Sequence, residues 1–143
     1  MPVTLVCIDP GVEFVRYGHE LDLRFQVLRE PLGMAREQTT FPGEVACLHV
    51  LALDGEAVVG CVLFDWQSGR LRAMAVQPSQ QGRGVGAQLV RKLEAEVAAR
   101  GVREVTLHAR GDAVGFYARL GYAVRGEPFT EVGLPHRDKQ KTL

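Results

Sequence analysis

The run Arg70-Leu71-Arg72-Ala73-Met74-Ala75-Val76-Gln77-Pro78-Ser79-Gln80-Gln81-Gly82-Arg83-Gly84-Val85-Gly86-Ala87-Gln88-Leu89-Val90 decides the fold. Arg70–Val76 reads as a strand, and Pro78-Ser79-Gln80-Gln81 leads out of it into a glycine turn. From Gly84 the apolar period becomes helical. Val85, Leu89, Val90, Leu93 and Val97 share one face, Arg91, Lys92, Glu94 and Glu96 lie on others, and Gly101 closes the helix. A glycine turn between strand and helix suits a phosphate, because the first helical N–H groups lack internal partners and the helix dipole is positive there. Gly82, Gly84 and Gly86 let the backbone approach an anion closely, while Arg83 adds charge or points into solvent. The plain alternative is a tight turn with no ligand.

Two other phosphate motifs compete for this turn. A P-loop would need Gly-Lys-Ser/Thr, which is absent. Gly82, Gly84 and Ala87 do spell the dinucleotide pattern G-x-G-x-x-A. Against it, Gln77–Gln81 separates the turn from its strand, and the acidic residue expected at the end of the next strand, Glu104, begins it instead.

Working upstream, Val45–Leu53 and Ala57–Phe64 are apolar and β-branched, joined by Asp54-Gly55-Glu56. Gln67-Ser68-Gly69 turns the chain into Arg70–Val76, completing a three-stranded antiparallel meander. Val3–Ile8 reads as a strand, Glu20–Glu30 as a helix stopped by Pro31 and Gly33, and Met34–Gly43 as a loop. Downstream, Glu104–Ala109 reads as a strand and Ala113–Leu120 as a short helix closed by Gly121. Tyr122–Arg125 and a stretch near Phe129–Val132 read as final strands, followed by a frayed basic tail. The order predicts a mixed α/β fold, with antiparallel pairs before the glycine turn and a helix crossover after it. Without repeat or linker, residues 1–143 are expected to form a single domain.

The chain has 143 residues, 46% hydrophobic and 24% charged, ordinary values for a globular protein. Seventeen basic residues balance seventeen acidic ones, so no overall field draws it to nucleic acid or an anionic membrane. Cys7, Cys47 and Cys61 form no CxxC pair and sit in apolar runs, and the four histidines are scattered. That pattern predicts neither disulfide framework nor metal site, and fits a reducing cytoplasm. No run approaches the roughly 18 apolar residues of a membrane span, and no signal peptide is evident.

The same residues carry a resemblance. Ala75-Val76-Gln77-Pro78 followed by Gln81-Gly82-Arg83-Gly84-Val85-Gly86 resembles the acetyl-CoA signature R/Q-x-x-G-x-G/A of the GNAT superfamily of N-acetyltransferases. Ala113-Val114-Gly115-Phe116-Tyr117-Ala118-Arg119-Leu120-Gly121-Tyr122 is similar to the second signature, A-x-x-F-Y-x-x-x-G-F/Y. Gly133-Leu134-Pro135-His136 and Leu23-Arg24…Val27-Leu28-Arg29 resemble the small bacterial ElaA/YjcF-like branch. The resemblance implies a central, mostly antiparallel mixed sheet flanked by helices. One departure is that Gly111 and Asp112 stand where many relatives place an asparagine for the coenzyme's pantetheine.

By this resemblance the chain transfers an acetyl or other acyl group from acetyl-CoA to an amine, without a metal. Met74, Ala75 and Val76, the turn Gln81–Gly86, Phe116 and Tyr117 would hold the coenzyme, and a backbone N–H of Met74-Ala75-Val76 would bind the oxyanion. Tyr117 is the implied acid for the departing thiolate, and its plain reading is a packed tyrosine. For the general base the sequence leaves Glu131, His136 and His108 open, together with a water relay. Glu131–His136 is expected to wall the acceptor pocket with the helix bearing Arg24 and Arg29, His108 lying beside the coenzyme. Pro135 is expected to fix the chain where it leaves the sheet. The acceptor could be a small amine, an amino acid or a peptide, and the protein a monomer or homodimer. A non-catalytic acyl-CoA sensor and a dinucleotide-dependent oxidoreductase are the rival functions.

Overall fold

The computed structural model describes residues 2–143. Seven strands form one sheet: β1 (Thr4–Ile8), β2 (Leu48–Asp54), β3 (Ala57–Asp65), β4 (Arg70–Val76), β5 (Glu104–Arg110), β6 (Ala123–Glu131) and β7 (Leu134–Thr142). Their order is β1-β2-β3-β4-β5-β7-β6. Every neighbouring pair is antiparallel except β4–β5. Three helices cover it: α1 (Phe14–Arg24), α2 (Val85–Ala99) and α3 (Val114–Arg119).

The strand period of two sorts the apolar side chains into two layers. Val50 and Ala52 of β2 pack with Leu89, Leu93 and Val97 of α2, whereas Leu51 and Leu53 pack with Leu23 of α1. The sheet is therefore sandwiched, α1 on one face and α2 with α3 on the other. α2 lies so close to β3 that a Cβ on Gly60 would sit 2.9 Å from Leu89. The mixed α/β fold, the meander and the helix after the glycine turn match the expectation.

Four local readings need correction. The first helix begins at Phe14, not Glu20, because Phe14 and Val15 point into solvent at 71% and 61% exposure and break the apolar period. It continues through a wider π turn over Phe25–Arg29, in which Glu30 N–H reaches Phe25 O, before Pro31 and Gly33 stop it. Val45 belongs to a short 3-10 turn, Glu44–Ala46, so β2 starts only at Leu48. At the end of the chain, the two final stretches join in one strand, β6 (Ala123–Glu131), whose pairing is interrupted by a bulge between Arg125 and Phe129, and the supposed basic tail is strand β7, inserted between β5 and β6. Its register, Glu104↔Thr142 to Arg110↔His136, covers all of β5. Lys139 is buried with its ammonium donating to Val114 O at 2.8 Å, so an alkyl stem fills a core position and hides the strand pattern. Pro135 does not lead the chain out of the sheet. It pairs with Thr130 just beyond the last β5–β7 pair, where its missing N–H removes no bond to β5.

Candidate active site

The parallel pair β4–β5 is joined only at Arg70↔Thr106 and Leu71↔Leu107, after which the strands part. The split opens a cleft of about 960 Å³ that runs from the glycine turn through the sheet to the α1 face. A bulge widens it. Between Cys61 and Leu63 the β3–β4 register slips, Ala73 takes a positive φ of 54°, and the Cys61 thiol donates to Ala73 O at 3.3 Å. Met74, Ala75 and Val76 thus line the split with one ladder edge unpaired.

On the α2 side the cleft ends at the glycine turn. Gly82 (φ 79°) and Gly84 (φ 78°) are both left-handed, and Gly84 caps α2 without any side-chain hydrogen bond. The first N–H groups of α2 therefore face the cleft without a capping side chain. Gly86 lies beneath Met74 and Phe116: an added Cβ would be 2.9 Å from Met74 Cε and 3.1 Å from Phe116 Cζ. Gln81 turns back, its amide donating to Val76 O at 3.0 Å, and staples the turn to the strand. Arg83 is exposed and does not line the cleft, and the Val85 side chain belongs to the core. Tyr117 lines the cleft between Phe116 and Tyr122, with ring centroids 5.0 and 5.8 Å away. Burial pushes its hydroxyl well above the usual range, so it stays a neutral phenol.

On the opposite face, sheet register assembles residues distant in sequence. Arg110↔His136 and Phe129↔His136 set three strands side by side. Glu131 accepts from His108 Nδ1 at 3.0 Å and lies 3.6 Å from His136 Nε2 and 3.7 Å from Arg70. Burial works to raise the Glu131 carboxyl, but the His108 bond, Arg70 and His136 outweigh it and hold it below the ordinary 4.5. Phe129 wedges the imidazoles, edge-on to His108 and stacked on His136. His136 Nδ1 donates to Leu134 O at 2.9 Å. Of the two His–Glu contacts, His108–Glu131 is the closer. The turn between β6 and β7, Val132-Gly133, has φ of 48° and 76°, an unusual conformation for a β-branched residue.

Arg24 reaches the cleft but is committed elsewhere. Its guanidinium, 1% exposed, donates to Glu20 at 2.9 Å, to Glu44 at 2.8 and 2.9 Å, and to Thr39 O at 2.7 Å. His49 completes the network, its ring nitrogens meeting Glu20 at 2.8 Å and Glu44 O at 2.7 Å, and Tyr17 donates to Glu44 at 2.5 Å. This network ties α1 to β2 and to the loop carrying Phe41. Arg29 does line the cleft, donating to Gln38 O at 3.2 Å. Asp112 is clasped by Arg110 at 2.7 and 3.1 Å. Arg70, Arg72 and Phe41 also line the cleft and escape a motif search, although Arg70 and Arg72 two residues apart in an apolar meander were the available signal.

The family model described as "Acetyltransferase (GNAT) domain" matches residues 31–143. The chain belongs to the GNAT acetyltransferase family. It is 33% identical over 96 residues to the N-acetyltransferase YjcF of Bacillus subtilis, covering 65% of this chain and 69% of that one. The matched part spans 63% of another B. subtilis relative. Escherichia coli ElaA shares the fold at TM-score 0.77 and 20% identity, over 97% of this chain and 99% of ElaA. An aminoglycoside 6′-N-acetyltransferase complexed with coenzyme A does so at 0.74 and 22%, over 97% and 96%. GNAT acetyltransferases act on amine acceptors. The dinucleotide reading falls with the topology: the strand before the glycine turn belongs to an antiparallel meander and has one short parallel partner. Among the described residues no helix is long and apolar enough to cross a membrane.

Proposed function

We propose that this GNAT chain transfers an acetyl group from acetyl-CoA directly to a primary amine. The observation that carries the reading is the through-sheet cleft, with an N-terminal helix end on one face and a carboxylate–imidazole pair on the other. A donor entering at the glycine turn would place its pyrophosphate against the α2 N–H groups, Gln81 to Gly86 supplying backbone, while Phe116 and Tyr117 flank its thioester arm. The room at Gly82 and Gly84, where an added Cβ would meet nothing within 4 Å, fits a phosphate approaching the backbone.

Glu131 holds His108 Nδ1–H, which leaves Nε2 as the acceptor for the amine's proton. His136 stands beside Glu131, its Nε2 3.6 Å from the carboxylate. The amine nitrogen attacks the thioester carbonyl, and a backbone N–H of the unpaired Met74–Val76 edge stabilises the oxyanion. Collapse breaks the C–S bond, and the Tyr117 hydroxyl gives its proton to the thiolate. The plain test is binding followed by turnover. Coenzyme A at 100 times its dissociation constant stabilises by about 2.7 kcal/mol, roughly 5–10 °C in Tm. NAD should give no shift, and free-thiol release should follow on an amine panel. No shift with millimolar coenzyme A refutes the reading, and binding without release on a broad panel makes the chain a sensor.

A further inference from the structure

The half of the cleft on the α1 face carries more positive charge than its own acids neutralise. Arg70 and Arg72, two residues apart on β4, leave the sheet on the face opposite Leu71, which packs in the α2 layer. Arg29 enters the same space from the π turn. Other charges nearby are matched: Arg24 by Glu20 and Glu44, Arg110 by Asp112. What is left is three guanidiniums against two carboxylates: Glu131, which already holds His108 and stands 3.7 Å from Arg70, and Asp65, 3.8 Å from Arg72.

The three are also held ready. The Arg72 guanidinium lies 3.7 Å from the centroid of the Phe41 ring, which fixes it while leaving its N–H donors free. Arg70 Nε is buried without a hydrogen-bond partner among the described residues. Burial first, then neighbouring arginines, press Arg29 and Arg70 below the ordinary guanidinium value. Like charges kept together in a partly dry wall are unfavourable in the empty protein and become favourable when an anion arrives. The donor's phosphates do not fill this place, because the glycine turn that suits them opens on the other face of the sheet.

Resting on the acyl-transfer reading above, we infer that the acceptor carries an anionic group, a carboxylate or a phosphate ester, beside its amine. Arg29, Arg70 and Arg72 hold that group, while the amine faces His108 and Glu131. Val27, Leu28 and Phe41 offer apolar wall for the carbon between them.

The test compares matched amines: L-phenylalanine with phenethylamine, β-alanine with ethylamine, and O-phosphoethanolamine with ethanolamine. The acidic member of at least one pair should show kcat/KM about a hundredfold higher, the scale of one bidentate charge-assisted contact. The pair that discriminates separates carboxylate from phosphate. Arg70→Gln and Arg72→Gln should reduce the ratio to below about tenfold, with coenzyme A affinity unchanged. Titrating the coenzyme-saturated protein calorimetrically with the same compounds reads binding without turnover. Equal turnover of acidic and neutral members overturns the inference and leaves acyl transfer standing. Arginine-dependent binding of the acids, with no turnover of any amine in the broad panel, upholds the anion site and sinks the transfer reading. No binding and no turnover by any acid overturns the inference. Should a variant fail to fold, the matched pairs on the unsubstituted protein decide alone.

Discussion

Arg24→Met separates a structural arginine from a substrate ligand. Methionine replaces most of the volume but none of the four donor contacts to Glu20, Glu44 and Thr39 O. Glu20 then keeps only His49, and Glu44 keeps Tyr17 and the Phe41 N–H at 3.0 Å, both carboxylates remaining buried. Removing one partner of a buried ion pair costs about 3–5 kcal/mol. At roughly 3 °C per kcal/mol for a chain of this size, Tm should fall by about 9–15 °C. The double variant Arg24→Met/Glu44→Gln should recover about 1–2 kcal/mol, because it removes the charge left unpaired.

The pH dependence gives an independent reading. Burial pushes the Glu44 carboxyl up, but Arg24 and Tyr17 outweigh it and hold it below the ordinary 4.5. A lowered folded value means stability that is present above about pH 4.5 and lost as pH falls through the folded value. Without Arg24 the burial contribution loses its main opponent. The gap in Tm between wild type and Arg24→Met should therefore narrow between pH 8 and about pH 5. Calorimetric melts across that range, with acceptor KM measured well below each Tm, form the assay. A Tm within about 2 °C of wild type combined with a raised acceptor KM would refute the structural role.

Two further substitutions test the donor half of the cleft. Gly84→Val forces a β-branched residue to φ near 78°, which should lower stability by about 1–2 kcal/mol and abolish coenzyme A binding; a folded variant that binds normally reduces the glycines to a turn. Tyr117→Phe keeps the packing with Phe116 and Tyr122 and should lower kcat by about 10–100-fold with coenzyme affinity unchanged. An unchanged rate, with chemistry limiting, makes that tyrosine a packing residue.

What could be read from the chain was local. The period of Val85, Leu89, Val90, Leu93 and Val97, the Asp54-Gly55-Glu56 turn and the left-handed glycines before α2 each announce themselves within a dozen residues. Long-range pairing was much less legible. β7 carries Lys139 at a core position and a proline and charges elsewhere, so no alternation marks it. Because β7 was unread, the meeting of His108, Glu131 and His136 could not be seen, since it depends on the β5–β7–β6 register. Arg24 misled for the same reason: its partner Glu44 lies 20 residues away across a loop with no periodic pattern.

The short parallel junction has a mechanical consequence. The sheet is two rafts, β1–β4 and β5–β7–β6, laced along their backbones by only two register pairs, Arg70↔Thr106 and Leu71↔Leu107. Below that lacing the edges of Met74–Val76 and His108–Arg110 face each other across open space. A donor whose amides bridge those edges would act as the missing rung of the ladder. The proposed co-substrate would then serve as a removable stiffener of the split.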